Sequence, residues 1–427
     1  MAYSGGLDSH VLLHALAQLQ RTHGLTLGAV HVDHGLQAAS GDWAQHCARV
    51  CAALGVACVI ERVQVADARA DGLEAAARRA RYACLARHVG AGDVLLTAHH
   101  LYDQAETVLV QLLRGAGVHG LAAMPAMAQF SAGYLARPLL GFTRATLAHY
   151  ADAERLQWIE DTSNRDLRRA RNLVRHQVLP LLQQRWPAAV RQLAQTARHM
   201  AEAAALLDDL AGADLGACAT GATLRVTSLA RLPLARQRNV LRHWIRQRGL
   251  RVPSAALLER ILDQVRAAPR TRHAVIHWRD AELRRYRDEL VLVPAGEGLP
   301  APAQAVTWDG KSLLQLADIG LQLRLRPQSG TGLSRARLEG AVLQVRFRHG
   351  GETCRLPGRG HHHKLKKLLQ AAGVPPWERA RLPLLFVNDT LAAVGDRWVC
   401  EPFAARAGEP GLALVVEKIT AAGKLGA

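Results

Sequence analysis

The residues of this chain able to do chemistry gather where apolar runs give way to polar turns. Ser4-Gly5-Gly6-Leu7-Asp8-Ser9 comes first, followed at helical spacing by Val11-Leu12-Leu13, Leu16 and Leu19. Two glycines let the backbone approach a ligand with no Cβ between them. The unpaired amides and positive dipole end of the helix that starts there then face an anion such as phosphate. A carboxylate beside phosphate is repulsive unless a cation intervenes, so Asp8 reads as a Mg²⁺ contact or as a helix cap. Next, His31-Val32-Asp33-His34-Gly35-Leu36 sets two histidines and a carboxylate at the end of an apolar run. A third cluster is His99-His100-Leu101-Tyr102-Asp103-Gln104-Ala105-Glu106-Thr107. There Asp103 and Glu106, three apart, share a first helical turn. Such a pair either complements the helix dipole or, beside a phosphate loop, makes a negative pocket for Mg²⁺ or an ammonium group. Zinc is not indicated at His99-His100, because no third or fourth ligand stands at a metal-site spacing.

These clusters need a scaffold that brings strand ends together. Residues 25–32 are mostly apolar, which suits a buried parallel strand. Further strands are expected at 56–63 and 94–98, with helices at 42–54 and 73–89. This alternation predicts an α/β fold with a parallel, Rossmann-like nucleotide-binding sheet over residues 1–185. Open sheets of this kind bind ligands at the carboxyl ends of their strands, where all three clusters fall. Only Met1-Ala2-Tyr3 precede the first loop, where a doubly wound sheet carries a whole central strand. A shortened strand there predicts a weakened sheet.

After about residue 185 the texture changes. Helices are expected at 191–210, 229–249 and 253–265, with arginines at 231, 236, 238, 242, 246 and 248, and strand pairing at 279–293. A mainly helical domain over 186–295 with one basic face suits phosphate-backbone contact, or is merely a soluble basic surface. Residues 294–305, rich in proline and glycine, read as a linker. Residues 306–427 read as a small α+β domain with a basic helix at 364–372. His361-His362-His363 read as a loop beside it, since consecutive histidines cannot all face one ion on a regular element.

Composition narrows the function classes. The 54 Lys and Arg against 36 Asp and Glu leave a formal charge of +18 over 427 residues, enough chain for two or three domains and a balance that points to a polyanionic partner. Seven cysteines include no C-x-x-C pair, against a zinc ribbon, an iron-sulfur cluster or a redox dithiol. Buried thiols in a reducing, cytoplasmic setting account for them. No signal peptide is evident and no apolar run is long enough to span a bilayer, so no membrane partner is expected.

The loop at 4–9 fits neither the Walker spacing nor G-x-G-x-x-G. It resembles the pyrophosphate loop (PP-loop) of the N-type ATP pyrophosphatases, which cleave ATP to AMP and pyrophosphate. Several further segments follow in a consistent order: Glu74-Ala75-Ala76-Ala77-Arg78 with Arg81-Tyr82, Arg114-Gly115-x-Gly117, Arg137-Pro138-Leu139-Leu140, Asp161-Thr162-Ser163-Asn164, and Arg171-Asn172 with Arg175 and Pro180. With Arg284-Arg285-Tyr286, Val345-Arg346-Phe347-Arg348, Lys364-Leu365-Lys366-Lys367-Leu368 and Gly373-Val374-Pro375-Pro376-Trp377, nearly the whole chain resembles the tRNA(Ile)-lysidine synthetase family. Tyr102 departs from that family's pattern, which has an aspartate before the Asp-Gln pair.

The resemblance implies that ATP adenylates the wobble cytidine of a tRNA(Ile) with a CAU anticodon, and that free L-lysine then displaces AMP to leave lysidine. It implies ATP binding by Ser4, Gly5, Gly6, Leu7, Asp8 and Ser9, with Mg²⁺ at Asp8. Arg78 is implied at the α-phosphate, although as a bare residue it reads as a solvated helix-face arginine. Asp103 and Glu106 are implied to hold the lysine ammonium, and one of them, or Asp33, takes its proton. Residues 306–427 are implied to grip the acceptor stem, with assembly as a homodimer left open. Two alternatives stand beside this reading. A PP-loop enzyme with another acceptor would be a tRNA thiolase, which needs paired cysteines near the loop, or an amidoligase, which needs no added basic domains. The other alternative is a non-catalytic basic RNA-binding protein.

Overall fold

The computed structural model describes residues 1–35, 39–64, 72–161, 166–267, 275–279, 281–294 and 304–419. Leu36, Thr162-Ser163-Asn164 and residues 295–303 of the expected linker lie outside them. The chain divides into two compact units, Met1–Leu210 and Ala211–Ala427.

The first unit opens on helix α1 (Leu7–His23) and continues through β1 (Gly28–Asp33), α2 (Ser40–Leu54), β2 (Ala57–Arg62), α3 (Leu73–Ala86), β3 (Val94–Leu96) and α4 (Leu101–Leu113). An antiparallel hairpin, β4 (Met127–Phe130) and β5 (Gly133–Ala136), precedes α5 (Arg144–Ala153). β1 pairs with β2 in parallel and β3 with β5 in parallel, as the apolar runs require. Alternate residues of these strands enter different cores. Ala29 packs with Leu12, Leu13, Cys47 and Leu147 beneath α1, α2 and α5, whereas Val30, Leu95 and Leu135 pack with Leu85 and Val89 from the end of α3. Burial on both faces suits the apolar run of β1, whereas β2 at the sheet edge is largely exposed.

Residues 1–3 fill the gap that their brevity suggested. The Ala2 amide donates to the Leu96 carbonyl (2.9 Å), the Tyr3 amide to Val30 (2.9 Å), and the Val30 amide to Met1 (2.8 Å). Ala2 bridges Val30 in parallel, so this short segment joins β2-β1 to β3-β5-β4. Tyr3 is 2% exposed, which anchors the segment in the core.

The unit ends in helices. A short α6 (Ala170–Leu173) runs through a π-helical turn (Val174–Val178) into α7 (Leu179–Arg185), and α8 (Ala189–Cys218) follows. Val174, Leu179, Val190 and Ala194 pack on Leu101 and Ala105 of α4, holding this helical run against the third sequence cluster. The division between the units falls within α8.

In the second unit a five-stranded antiparallel sheet takes the order Ala219–Thr220, Thr223–Arg225, Glu289–Pro294, Ala281–Tyr286, Val275–Trp278. Two helices, α9 (Leu234–Gln247) and α10 (Ala255–Ala267), share its core through Leu241, Trp244, Ile245, Leu258 and Ile261. The helix expected over 229–249 is interrupted, because Pro233 cannot continue a preceding turn and instead caps α9. Its basic face is also partly neutralised. Arg236 is ion-paired to Asp214 and Arg238 to Glu259, while the Arg248 guanidinium lies 4.7 Å from the Trp244 ring centroid. Beyond 304 come a five-stranded and a four-stranded antiparallel sheet, and the basic helix forms at Leu365–Ala371. Its buried Leu365, Leu368 and Leu369 face a core while Lys366 and Lys367 are exposed.

Candidate active site

The 4–9 loop is built as its composition demands. Gly5 takes a positive φ of 79°, and an added Cβ would meet Ile159 Cδ1 at 2.6 Å and Cys47 Sγ at 3.0 Å. Two constraints at one residue leave only glycine. The Ile159 amide donates to the Gly5 carbonyl (2.9 Å), fixing the turn from a distant part of the chain. Ser4 Oγ and Ser9 Oγ share a hydrogen bond (2.9 Å), and Ser9 Oγ donates to the Gly6 carbonyl (3.0 Å). No side chain caps α1. Its first-turn amides at Leu7, Asp8 and Ser9 therefore have no intrahelical acceptor and lie at the dipole's positive end.

Asp8 follows directly. It does not cap the helix, which removes one of its two readings. Its Oδ2 lies 3.6 Å from His100 Nε2, while its Oδ1 is buried and accepts no hydrogen bond. Burial raises its pKa, helped by the neighbouring Asp103 carboxylate and opposed by His100, Arg144 and Arg175.

His100 connects the loop to the acidic pair. It is the N-cap of α4: its Nδ1 accepts from the Tyr102 amide (3.2 Å), and its own amide donates to Asp103 Oδ2 (3.0 Å) in a capping box. His100 Nε2 also lies 3.6 Å from Asp103 Oδ2, so one imidazole stands between Asp8 and Asp103. Burial alone would raise the Asp103 pKa, but His100, Arg171 and the His100 amide outweigh it and hold the carboxyl below its ordinary value.

Asp103 and Glu106 share the first turns of α4 as expected, and they are not free. Arg171 Nη2 donates to Asp103 Oδ1 (2.9 Å) and Arg171 Nε to Glu106 Oε2 (2.7 Å). Arg175 donates to Asp103 Oδ1 (3.0 Å) and to both Glu106 oxygens (2.6 and 2.9 Å). Glu106 is fully buried, whereas the arginine side chains are 31% and 28% exposed. Arg175 rides on the π-helical turn, a backbone irregularity common at functional sites.

The other expected residues stand apart from this chain of contacts. Asp33 Oδ1 accepts from the Gly35 amide (2.8 Å) and its Oδ2 lies 3.5 Å from Arg62, so it closes the turn after β1. Arg78 is exposed and stacks over the Tyr82 ring (4.8 Å), near enough to help depress the pKa of His99. Burial is the main cause of that depression, to about 4, with Arg137 and Arg171 adding to it. His99 Nδ1 bonds Thr97 Oγ1 (2.9 Å), and His31 is buried against the Tyr3 carbonyl. His34 takes the Arg81 Nε–H (3.2 Å). Tyr102, which stands where the family's pattern has an aspartate, takes a hydrogen bond from Gln183 (3.2 Å).

Sequence reasoning did not point to Arg171 and Arg175 as partners of the acidic pair, or to His100 as the group between that pair and Asp8. The signal was present in the spacing of the two arginines, since i and i+4 place both guanidinium groups on one helical face.

This arrangement, a parallel sheet with an uncapped glycine loop and an acidic cluster at its strand ends, defines a nucleotide-binding protein of the PP-loop class. Residues 1–182 match the family model described as the PP-loop domain. Residues 224–291 match the TilS substrate binding domain and 343–416 the TilS substrate C-terminal domain. The tRNA(Ile)-lysidine synthase of Alkalilimnicola ehrlichii is 46% identical over 418 residues, covering 98% of this chain and 93% of that protein. The enzyme of the same name from Coxiella burnetii is 42% identical, covering 96% and 91%, and that from Pseudomonas aeruginosa 43%, covering 93% and 89%. The chain belongs to the tRNA(Ile)-lysidine synthase family.

Proposed function

We infer that this protein joins free L-lysine to the wobble cytidine of the CAU anticodon of tRNA(Ile), with ATP cleaved to AMP and pyrophosphate. The observation that carries this reading is the His100 bridge, which makes the phosphate cradle and the acidic pair parts of one site. In the first step the cytosine carbonyl oxygen bonds the α-phosphorus of ATP and pyrophosphate leaves. That carbonyl oxygen is a poor leaving group until it becomes a phosphate ester. In the second step the lysine ε-amine attacks the activated carbon and AMP departs.

Each group in the site suits a part of this sequence. The amides of residues 7–9 and the Ser4 and Ser9 hydroxyls hold the pyrophosphate. Asp8, with a buried oxygen lacking a partner and a second carboxylate nearby, offers the hard oxygen donors that Mg²⁺ prefers. Held there, the ion would supply charge neutralisation for the departing pyrophosphate. Arg78, exposed and close to the 97–100 turn, serves the α-phosphate.

The ε-ammonium of lysine, with an ordinary pKa of about 10.4, must be held and then deprotonated before it attacks. Asp103 and Glu106 do the holding. Because both are saturated by Arg171 and Arg175, lysine enters by exchanging an ammonium for a guanidinium rather than by filling an empty pocket. The proton passes to a carboxylate of this pair.

The thiolase alternative is disfavoured by the relatives, since proteins named tRNA(Ile)-lysidine synthase match over nearly the whole chain. Cys47, which packs against Gly5, is fully buried and its thiol is pushed up to about 12, which keeps it protonated. We assign residues 186–295 and 306–427 to holding the tRNA, 1–185 to the chemistry, and the reaction to the cytoplasm, where tRNA and free lysine occur. All seven cysteines are free, and no helix among the described residues is long and apolar enough to cross a membrane.

The test is incorporation of radiolabelled lysine into isoleucine tRNA transcripts that differ only at the wobble base, with ATP and Mg²⁺ present. Label is expected in the CAU transcript alone. Absence of label from every transcript, or equal labelling of all, overturns the reading.

A further inference from the structure

A second cluster of ligating side chains lies in the first unit and shares no residue with the site above. Glu61 comes from β2, Cys84 from the last turn of α3, and His88 from the turn that ends that helix. One carboxylate oxygen, the thiol sulfur and one imidazole nitrogen all lie within 4.8 Å of one another. We propose that Glu61, Cys84 and His88 bind a zinc-class divalent cation that ties β2 to the end of α3.

The donor chemistry selects the ion. Sulfur, nitrogen and one carboxylate oxygen make a borderline-soft set that suits Zn²⁺, whereas Mg²⁺ and Ca²⁺ prefer oxygen throughout. The geometry is also favourable, because Cys84 in the last turn of α3 and His88 just past its C-cap Arg87 both come close to Glu61 on the strand.

The present occupant of the cluster is itself a cation. Arg87 Nη2 donates to Glu61 Oε2 (3.1 Å) and to Cys84 Sγ (3.6 Å), and His88 Nε2 lies 2.9 Å from Glu61 Oε1. Cys84 is 1% exposed, yet its sulfur is touched by a guanidinium whose side chain is 62% exposed. The thiol therefore faces the rim and not the core, and the group that covers it is free to leave. On binding, the metal displaces Arg87 from both acceptors. Cys84 releases its thiol proton to solvent as the sulfur-metal bond forms, and neutral His88 and ionised Glu61 complete three protein ligands. A fourth position is left for water. The ion would also steady α3, the helix that carries Arg78.

The test uses the full chain, stripped of metal and titrated with Co²⁺ as a spectroscopic probe, then with Zn²⁺ in competition. One equivalent of Co²⁺ is expected to give a thiolate-to-metal absorption band that Zn²⁺ abolishes. Cys84→Ser should remove the band, and His88→Ala should weaken binding by at least about tenfold. Arg87→Ala removes no ligand but takes away the competing cation, so it should tighten binding by roughly tenfold. This last variant keeps the test decisive should Cys84→Ser fail to fold. No thiolate band, a band that survives in Cys84→Ser, or weaker binding by Arg87→Ala overturns the proposal.

Discussion

At the 4–9 loop polar groups await a partner, whereas at Asp103 and Glu106 all four carboxylate oxygens already accept hydrogen bonds. The first region is shaped by backbone: a positive-φ glycine, uncapped amides and one orphaned acid oxygen. The second is shaped by side chains, with two arginines brought onto two acids from another helical run. A cradle of fixed amides costs nothing to reorganise when phosphate arrives. A saturated ion-pair cluster must change partners, which on the proposed reading would make admission of the second substrate conditional. On that reading one small site would hold one pre-formed half and one half that opens by exchange.

The comparison breaks most readily at Asp8. Asp8→Asn should reduce ATP-pyrophosphate exchange by about 100-fold or more, since an ion-binding charge that acts on the departing group is lost. It should leave the urea midpoint unchanged or raised, because it also removes a buried carboxylate charge that burial disfavours. Unchanged exchange would remove Asp8 from the chemistry. At the saturated half, Glu106→Ala leaves two arginines facing an empty buried position. A loss of about 3 kcal/mol is expected from urea denaturation, at the low end for a broken buried pair because the arginines keep some solvent. Removing Arg171 and Arg175 as well should return part of that loss, and if it does not, the cluster is not a coupled unit.

Gly5→Ala tests the backbone half by another route. A Cβ at 2.6 Å from Ile159 Cδ1, on a backbone at φ 79°, should cost about 2 kcal/mol in thermal or chemical denaturation and weaken nucleotide binding. Ile159→Ala in the same chain should relieve the steric part and leave the conformational part. A last test is a pH dependence at the edge of the pair. His99 titrates at about 4 when folded against an ordinary 6.5, mainly through burial. Below about 6.5 the unfolded chain takes up a proton that the folded chain refuses, so stability present at neutral pH is lost as pH falls toward 4. His99→Gln should flatten the denaturation midpoint across that window, and an unaltered slope would assign the effect to other groups.

The pre-formed half was far more legible in the sequence than the saturated one. Gly5, Gly6 and the apolar period after them specify a local turn and helix, and local geometry follows from neighbours in sequence. The strand-helix alternation that positions them was readable for the same reason, with ends displaced by a few residues. The partners of Asp103 and Glu106 stand more than sixty positions away, and no local pattern says which of many arginines arrives. The expected continuous helix over 229–249 failed for a local reason that was visible, the Leu232-Pro233 step. The sheet gap at residues 1–3 could not be judged in advance. Whether three residues suffice depends on both neighbouring strands presenting free backbone groups at the same level, as Val30 and Leu96 do.

The contact between Gly5 and Ile159 has a consequence for the newborn chain. The loop is made 154 positions ahead of Ile159, whose amide fixes its turn and whose side chain walls it. Until then the nascent protein carries the motif without its shape. The shape that would hold a nucleotide is therefore acquired only once most of the first unit has been made.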